Sequence, residues 1–163
     1  MATEIERKFL VRDDSWRAQA LPGVRLMQGY LASTPTVTVR ARLEGEQGVL
    51  TLKGATHGIR RSEYEYSIPA EDAKAMLGEL AQSGIIDKMR YRVPCGPQTW
   101  ELDVFAGDNA GLVVAELELS REDEPFERPS WLGAEVSDDP RYYNVNLARH
   151  PFTHWRARTS SPA

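Results

Sequence analysis

The chain has 163 residues, with 20 Lys and Arg against 24 Asp and Glu. Its formal charge of −4 gives no overall pull toward nucleic acid or anionic lipid. The single cysteine, Cys95, excludes an internal disulfide framework and any cysteine-based zinc cluster. The length suits one domain, expected over 1–158 with a frayed polar tail at 159–163, and it buries about two thirds of the unfolded surface without cross-links. The opening Met-Ala-Thr-Glu-Ile-Glu-Arg-Lys lacks the apolar stretch of a signal peptide. No run approaches the roughly 18 apolar residues of a membrane span, so a cytoplasmic setting with no membrane partner is expected.

In chain order, strands are predicted over 3–11, 24–32, 36–44, 48–54, 59–68, 86–94, 98–105 and 112–120. Turn residues separate them: Pro22-Gly23, Thr34-Pro35, Gly54, Pro94-Cys95-Gly96-Pro97 and Gly107-Asp108-Asn109. Pro69-Ala70-Glu71-Asp72 opens a helix whose apolar positions Ala73, Met76, Leu77, Leu80 and Ala81 recur at helical spacing until Gly84. Asp139-Pro140, followed by Tyr142, Tyr143, Val145, Leu147 and Ala148, predicts a second short helix stopped before Pro151. Seven or eight strands with one interrupting helix favour an antiparallel meander or closed barrel over a parallel α/β fold.

Side chains two apart on a strand share a face, and here that face is charged. Glu4, Glu6 and Lys8 align on the first strand, opposite Ile5, Phe9 and Val11. Arg40 and Arg42 follow on the third strand, Lys53 on the fourth, and Arg61, Glu63 and Glu65 on the fifth. Lys88 and Arg90 come next, then Glu101 and Asp103, then Glu116 and Glu118. Any one such pair usually marks the wet face of a half-buried sheet. Its repetition on seven strands, with few Thr, Ser, Gln or Asn, points instead to a sheet closed with this face inward. Unpaired charges in such a lumen are costly, so it must hold water, metals and a charged ligand. Seven bases and two divalent cations against eight acids leave a surplus of roughly +3, which a triphosphate of about −4 to −5 would offset.

The ordered set resembles the CYTH superfamily, the triphosphate tunnel metalloenzymes. It runs from Glu4-Ile5-Glu6-Arg7-Lys8 through Gln28-Gly29-Tyr30-Leu31, Val39-Arg40-Ala41-Arg42 and Leu50-Thr51-Leu52-Lys53-Gly54. It continues through Glu63-Tyr64-Glu65, Lys88-Met89-Arg90-Tyr91, Trp100-Glu101-Leu102-Asp103 and Ala115-Glu116-Leu117-Glu118. The resemblance covers nearly the whole chain. It implies a mainly β fold: an eight-stranded antiparallel closed barrel with a few flanking helices, whose tunnel binds a triphosphate and a divalent metal.

Carried over position by position, Glu4, Glu6, Glu116 and Glu118 resemble metal-facing carboxylates. Glu63 and Glu65 match a further acidic pair, and Asp103 is taken with the metal set. Lys8, Arg40, Arg42, Lys53, Arg61, Lys88 and Arg90 resemble phosphate binders, with Lys8, Glu4 and Glu6 at the reacting end. The short E-I-E-R-K-F-L-V and Q-G-Y-L pattern is most similar to inorganic triphosphatases. Adenylate cyclases and nucleoside or thiamine triphosphatases use the same tunnel and remain alternatives, as does a non-catalytic polyphosphate or nucleotide sensor. The expected ligands are inorganic triphosphate, or another triphosphate compound, and Mg²⁺ or Mn²⁺. No nucleic acid partner is expected. A homodimer is compatible with the sequence but not read from it.

The residue types agree with that chemistry on their own terms. Phosphoanhydride hydrolysis needs charge stabilisation more than a covalent nucleophile. Arg supplies multidentate phosphate contacts and Lys a mobile point charge, while carboxylates select hard cations. No P-loop, G-x-S-x-G or H-E-x-x-H pattern is present. His57, His150 and His154 read as surface residues, Cys95 as a turn residue, and Trp16, Trp100, Trp131 and Trp155 as packing anchors. Tyr30 shares a face with Gln28 and is read either as a lumen contact or as a packing residue. The Arg141–Asn144 stretch is expected either to plug one barrel mouth, as the resemblance suggests, or to pack outside the wall.

Overall fold

A computed structural model describes residues 3–159. Eight strands close into an antiparallel barrel: β1 (Thr3–Val11), β2 (Val24–Ser33), β3 (Val37–Glu44), β4 (Gln47–Gly54), β5 (Arg60–Ile68), β6 (Ile86–Cys95), β7 (Gln98–Phe105) and β8 (Val113–Glu118). The order around the wall is β5-β4-β3-β2-β6-β7-β8-β1, and β1 returns to β5. The closing ladder is short, Thr3 opposite Ser62 to Ile5 opposite Arg60. Beyond it a ninth strand, β9 (Leu132–Glu135), takes over the same edge of β1. The expectation of a closed mainly β barrel holds, and the eight expected strands appear within a few residues of their predicted limits. β9 was not anticipated. Its Gly133 lies so close to β1 that a Cβ there would meet the Leu10 carbonyl oxygen at 2.9 Å.

The first helix, α1 (Ala70–Glu79), ends short of Gly84. The chain leaves the helix because the Gln82 N–H donates to the Tyr30 carbonyl and the Gly84 N–H to that of Ala148. Gly29 permits this approach, since a Cβ would sit 3.0 Å from Ile85 and Leu77. The predicted second helix is split. A 3₁₀ turn spans Pro140–Tyr142, with the Asp139 carboxylate accepting from the Arg141 N–H. Tyr143 is extended, and α2 (Asn144–Arg149) follows. A further helix, α3 (Phe152–Thr159), lies after Pro151, where none was foreseen. Apart from Thr159, the tail expected to fray falls outside the described residues. Among the described residues, no helix is long and apolar enough to cross a membrane.

Two apolar clusters hold the barrel. The first covers the outside of β1, β6, β7 and β8 with Ile5, Phe9, Val93, Trp100, Leu102, Ala115 and Leu117, and Trp16, Leu119 and Trp131 fold down onto it. Trp16 and Trp100 are fully buried, as packing anchors should be. The second cluster lies at one end of the lumen. There the inward row turns from charged to apolar at Ile86 on β6, Phe105 on β7 and Val114 on β8, with Tyr30 of β2 and Leu10 of β1 beside them. Tyr142, Leu147 and Ala148 pack against this group. Apolar burial therefore seals one mouth and leaves a pocket.

Candidate active site

The pocket has a volume of about 350 Å³ and is lined by eight acidic and eight basic side chains. Of the expected residues, Glu4, Glu6, Lys8, Arg40, Arg42, Lys53, Arg61, Glu63, Glu65, Lys88, Arg90, Glu101, Glu116 and Glu118 all reach it. Strand alternation aims them inward, and cross-strand register sets them beside one another. Lys8 stands opposite Glu116 and Glu6 opposite Glu118 on the β1–β8 ladder, and Lys53 stands opposite Glu63 on β4–β5.

Asp103 has a different place. It is 1% exposed and lies behind the pocket surface. Its carboxylate accepts a two-pronged pair from Arg90 at 2.8 and 2.9 Å and meets Lys88 at 2.7 Å. Burial opposes its ionisation, but Arg90 and Lys88 prevail and hold its carboxyl well below the usual carboxylate range. Both of its oxygens meet cations, an arrangement in which Asp103, expected with the metal set, holds Lys88 and Arg90.

The remaining pairs are uneven. Arg90 also contacts Glu116 at 3.0 Å and Glu101 at 3.5 Å. Burial raises the Glu116 carboxyl, yet Lys8 and Arg90 bring it down to about 2. Lys53 bridges Glu4 at 3.1 Å and Glu63 at 3.2 Å. Arg42 donates to Gln28 at 2.8 Å and to Glu44 at 3.1 Å. Arg40 donates to Thr51 at 3.2 Å and lies 3.7 Å from Glu65. Arg61 directs Nε and Nη2 to the Gly54 carbonyl, which fixes it to the wall beside the 55–59 loop. Tyr30 meets both readings: its ring packs in the second cluster and its hydroxyl accepts from Gln28 at 3.3 Å.

Two regions of the lumen are left uncompensated, with opposite sign. On one side, the Glu6 carboxylate has no hydrogen-bond or ion-pair partner among the described residues. Burial, Glu116 and Glu4 push its carboxyl well above the usual range, and burial, Glu4 and Glu63 likewise raise Glu118. Beside them Glu4 Oε2 is buried with no hydrogen-bond donor in line, although the Lys53 charge is near. On the other side, burial and the repulsion of Arg40 and Arg90 bring the Arg42 guanidinium down to about 10. There Arg40 Nε is a buried donor without an acceptor among the described residues. Burial lowers the Lys88 ammonium to about 7 despite the neighbouring Asp103.

The sealed end carries contacts that the strand pattern could not reveal. Lys8 Nζ donates to the Tyr142 carbonyl at 3.1 Å and sits 5.5 Å from the Tyr143 ring centroid. Lys88 Nζ donates to Asn144 Oδ1 at 3.0 Å. The Arg141–Asn144 stretch thus plugs the mouth while α2 behind it packs on the second cluster. Sequence reasoning also passed over Arg92, which lines the pocket two residues beyond Arg90 on the same face of β6. Its signal was the continuation of that charged row.

Among the described residues, no three acidic, histidine or cysteine side chains already converge as a complete metal site. The acidic side nevertheless fits a hard cation. Its donors are all oxygens, one buried oxygen lacks a donor, and two carboxylates are destabilised by their own kind.

The closed barrel thus holds a lumen lined by charges of both signs and open at one mouth. The CYTH domain family model matches residues 2–144, and the chain belongs to this family. It is 43% identical to the inorganic triphosphatase of Acetivibrio thermocellus over 156 residues, which cover 96% of this chain and 99% of that protein. It is 40% identical to the inorganic triphosphatase of Nitrosomonas europaea over 151 residues, covering 90% and 97% of the two chains. A crystal structure of the inorganic triphosphatase NE1496 shares the fold with TM-score 0.62 at 38% identity, covering 91% of this chain and 95% of its own.

Proposed function

We propose that this protein hydrolyses inorganic triphosphate to diphosphate and phosphate in its barrel pocket, with Mg²⁺ or Mn²⁺ as cofactor. The observation that carries the reading is the paired imbalance in one lumen: Arg40 Nε, buried without an acceptor among the described residues beside the mutually repelling Arg42, and the half-buried Glu6, whose carboxyl is raised by burial, Glu116 and Glu4. A bare anion would relieve only the first, and a bare cation only the second. A metal polyphosphate relieves both.

In this reading Arg40, Arg42, Arg90 and Lys53 bind the phosphate chain, with Lys8 and Lys88 at the sealed end. Arginines give directional contacts to equatorial oxygens, and the low-dielectric wall strengthens each one. Glu6, Glu118, Glu4 and Glu63 hold the cation, with Glu65 flanking them. Glu116 joins them only by loosening its contacts with Lys8 and Arg90. A divalent cation held there supplies positive charge to the phosphate oxygens and polarises water. Asp103 keeps Lys88 and Arg90 in place, and the apolar seal keeps bulk water from that end. The apolar and aromatic side chains that line the pocket, and that the organic part of a nucleotide or thiamine ester would meet, are Ile59, Val145, Tyr30 and Tyr143.

The test is phosphate release from triphosphate, ATP and thiamine triphosphate at equal concentration, with Mg²⁺. Inorganic triphosphate should have the highest kcat/KM. A preference for either organic substrate, or cyclic nucleotide formation from ATP, would replace this reading with one of its alternatives.

A further inference from the structure

The two lysines at the sealed end are restrained in the same way. An ammonium has three N–H donors on a flexible four-carbon stem, so one contact leaves it free to swing. Lys8 meets the Glu116 carboxylate at 3.4 Å and the neutral Tyr142 carbonyl at 3.1 Å. Lys88 meets the Asp103 carboxylate at 2.7 Å and the neutral Asn144 amide oxygen at 3.0 Å. In each case the barrel supplies the charge and the C-terminal segment supplies an uncharged oxygen. Two acceptors fix each nitrogen and take up two of its three N–H groups, at the wall of the pocket that both lysines line, Lys88 with its side chain fully buried there.

Asn144 is held firmly enough to act in this way. It opens α2, and Leu147 and Ala148 of that helix are buried in the second apolar cluster. Its amide oxygen accepts from Lys88 Nζ at 3.0 Å. Neutrality matters at this position, because Lys88 already has Asp103. A second carboxylate would compete with phosphate oxygens for the ammonium, whereas an amide oxygen orients it and leaves its charge available.

We propose that Asn144 is a positioning residue for the reaction: its amide oxygen aims the Lys88 ammonium at the bound phosphate chain without neutralising it. The proposal rests on the triphosphatase reading given above. Removing the acceptor should lower transition-state stabilisation while leaving the charge that binds the ground state. Adding a charge should do the reverse.

The test is steady-state hydrolysis of triphosphate with Mg²⁺ by wild type, Asn144→Leu and Asn144→Asp, with thermal unfolding of each. Asn144→Leu keeps the branched side-chain outline without its polar atoms and should lose about tenfold or more in kcat with KM changed by less than about threefold. Asn144→Asp keeps an acceptor and should raise KM about tenfold with a smaller change in kcat. An active wild type beside an Asn144→Leu protein of unaltered kcat overturns the proposal and leaves the triphosphatase reading intact. Parallel losses in both variants that follow only their unfolding temperatures also overturn it. If Asn144→Leu does not fold, an unchanged KM in Asn144→Asp is decisive against it. An inactive wild type overturns the underlying reading and the proposal together.

Discussion

Glu6 and Glu118 stand opposite one another on the β1–β8 ladder, both on the pocket side, and neither makes an ion pair among the described residues. Facing carboxylates without a cation between them are a cost to the folded barrel. The raised carboxyl of Glu6 is its electrostatic signature.

Glu6→Gln should therefore stabilise the metal-free protein while abolishing turnover. The sign follows from linkage. A carboxyl whose folded pKa is raised contributes stability that is full below its unfolded pKa, near 4.5, and is lost as pH rises through the folded value. As pH rises above about 4.5 the wild type progressively loses that contribution and the glutamine variant does not. In EDTA the variant should gain about 1 kcal/mol, or about 2–4 °C in Tm, and the gain should shrink toward pH 4. Thermal unfolding across pH 4–8, without metal, measures it.

Arg42→Ala should impair substrate use more than folding, because Arg42 sits on the uncompensated positive side of the lumen. The expected loss is about 1.5–3 kcal/mol in kcat/KM, with Tm less affected. Lys53→Ala should behave alike, since Lys53 faces the same lumen between Glu4 and Glu63. A variant that unfolds but keeps wild-type kinetics while folded would contradict the lumen assignment.

Asp103→Asn should do the opposite. It removes the carboxylate that holds Lys88 and Arg90, leaving two buried cations short of a partner. A loss of about 3–5 kcal/mol follows, lowering Tm by about 10 °C or more. Its midpoint for Mg²⁺ activation should stay near that of the wild type. A large shift in that midpoint with unchanged Tm would return Asp103 to the metal set.

Much of the barrel was legible because strand alternation has a period of two, so a charged inward row and an apolar outward row can be read from residues such as Arg40–Ala41–Arg42. The sealed end was written in the same parity. Ile86 precedes Lys88 and Arg90, Phe105 follows Asp103, and Val114 precedes Glu116, so the inward row turns apolar on three strands at once. Attention to the charges alone passed over it. The partners of Asp103 were not legible, because a single strand does not state its register with its neighbours. Nor were the contacts of Tyr142 and Asn144, which depend on how a segment outside the barrel folds back. The four-residue β9 and the weakly amphipathic α3 carry too little periodicity to stand out.

Ca²⁺ should support turnover poorly or inhibit it. The acidic side offers oxygens only, which bind all three ions, so affinity alone does not discriminate. Mg²⁺ holds oxygen at about 2.0–2.1 Å in an octahedron, whereas Ca²⁺ takes more ligands at about 2.3–2.6 Å. In-line displacement tolerates little misplacement of the reacting atoms, so the looser shell reduces kcat. Initial rates at saturating Mg²⁺, Mn²⁺ and Ca²⁺ check this.

The most direct measurement is phosphate release from inorganic triphosphate by wild type and Glu6→Gln, each with Mg²⁺ and with EDTA. The account predicts rapid release by the wild type with Mg²⁺, none in EDTA, and a collapse of kcat in Glu6→Gln even with Mg²⁺ present. Full activity in EDTA, or wild-type turnover by Glu6→Gln, would contradict it.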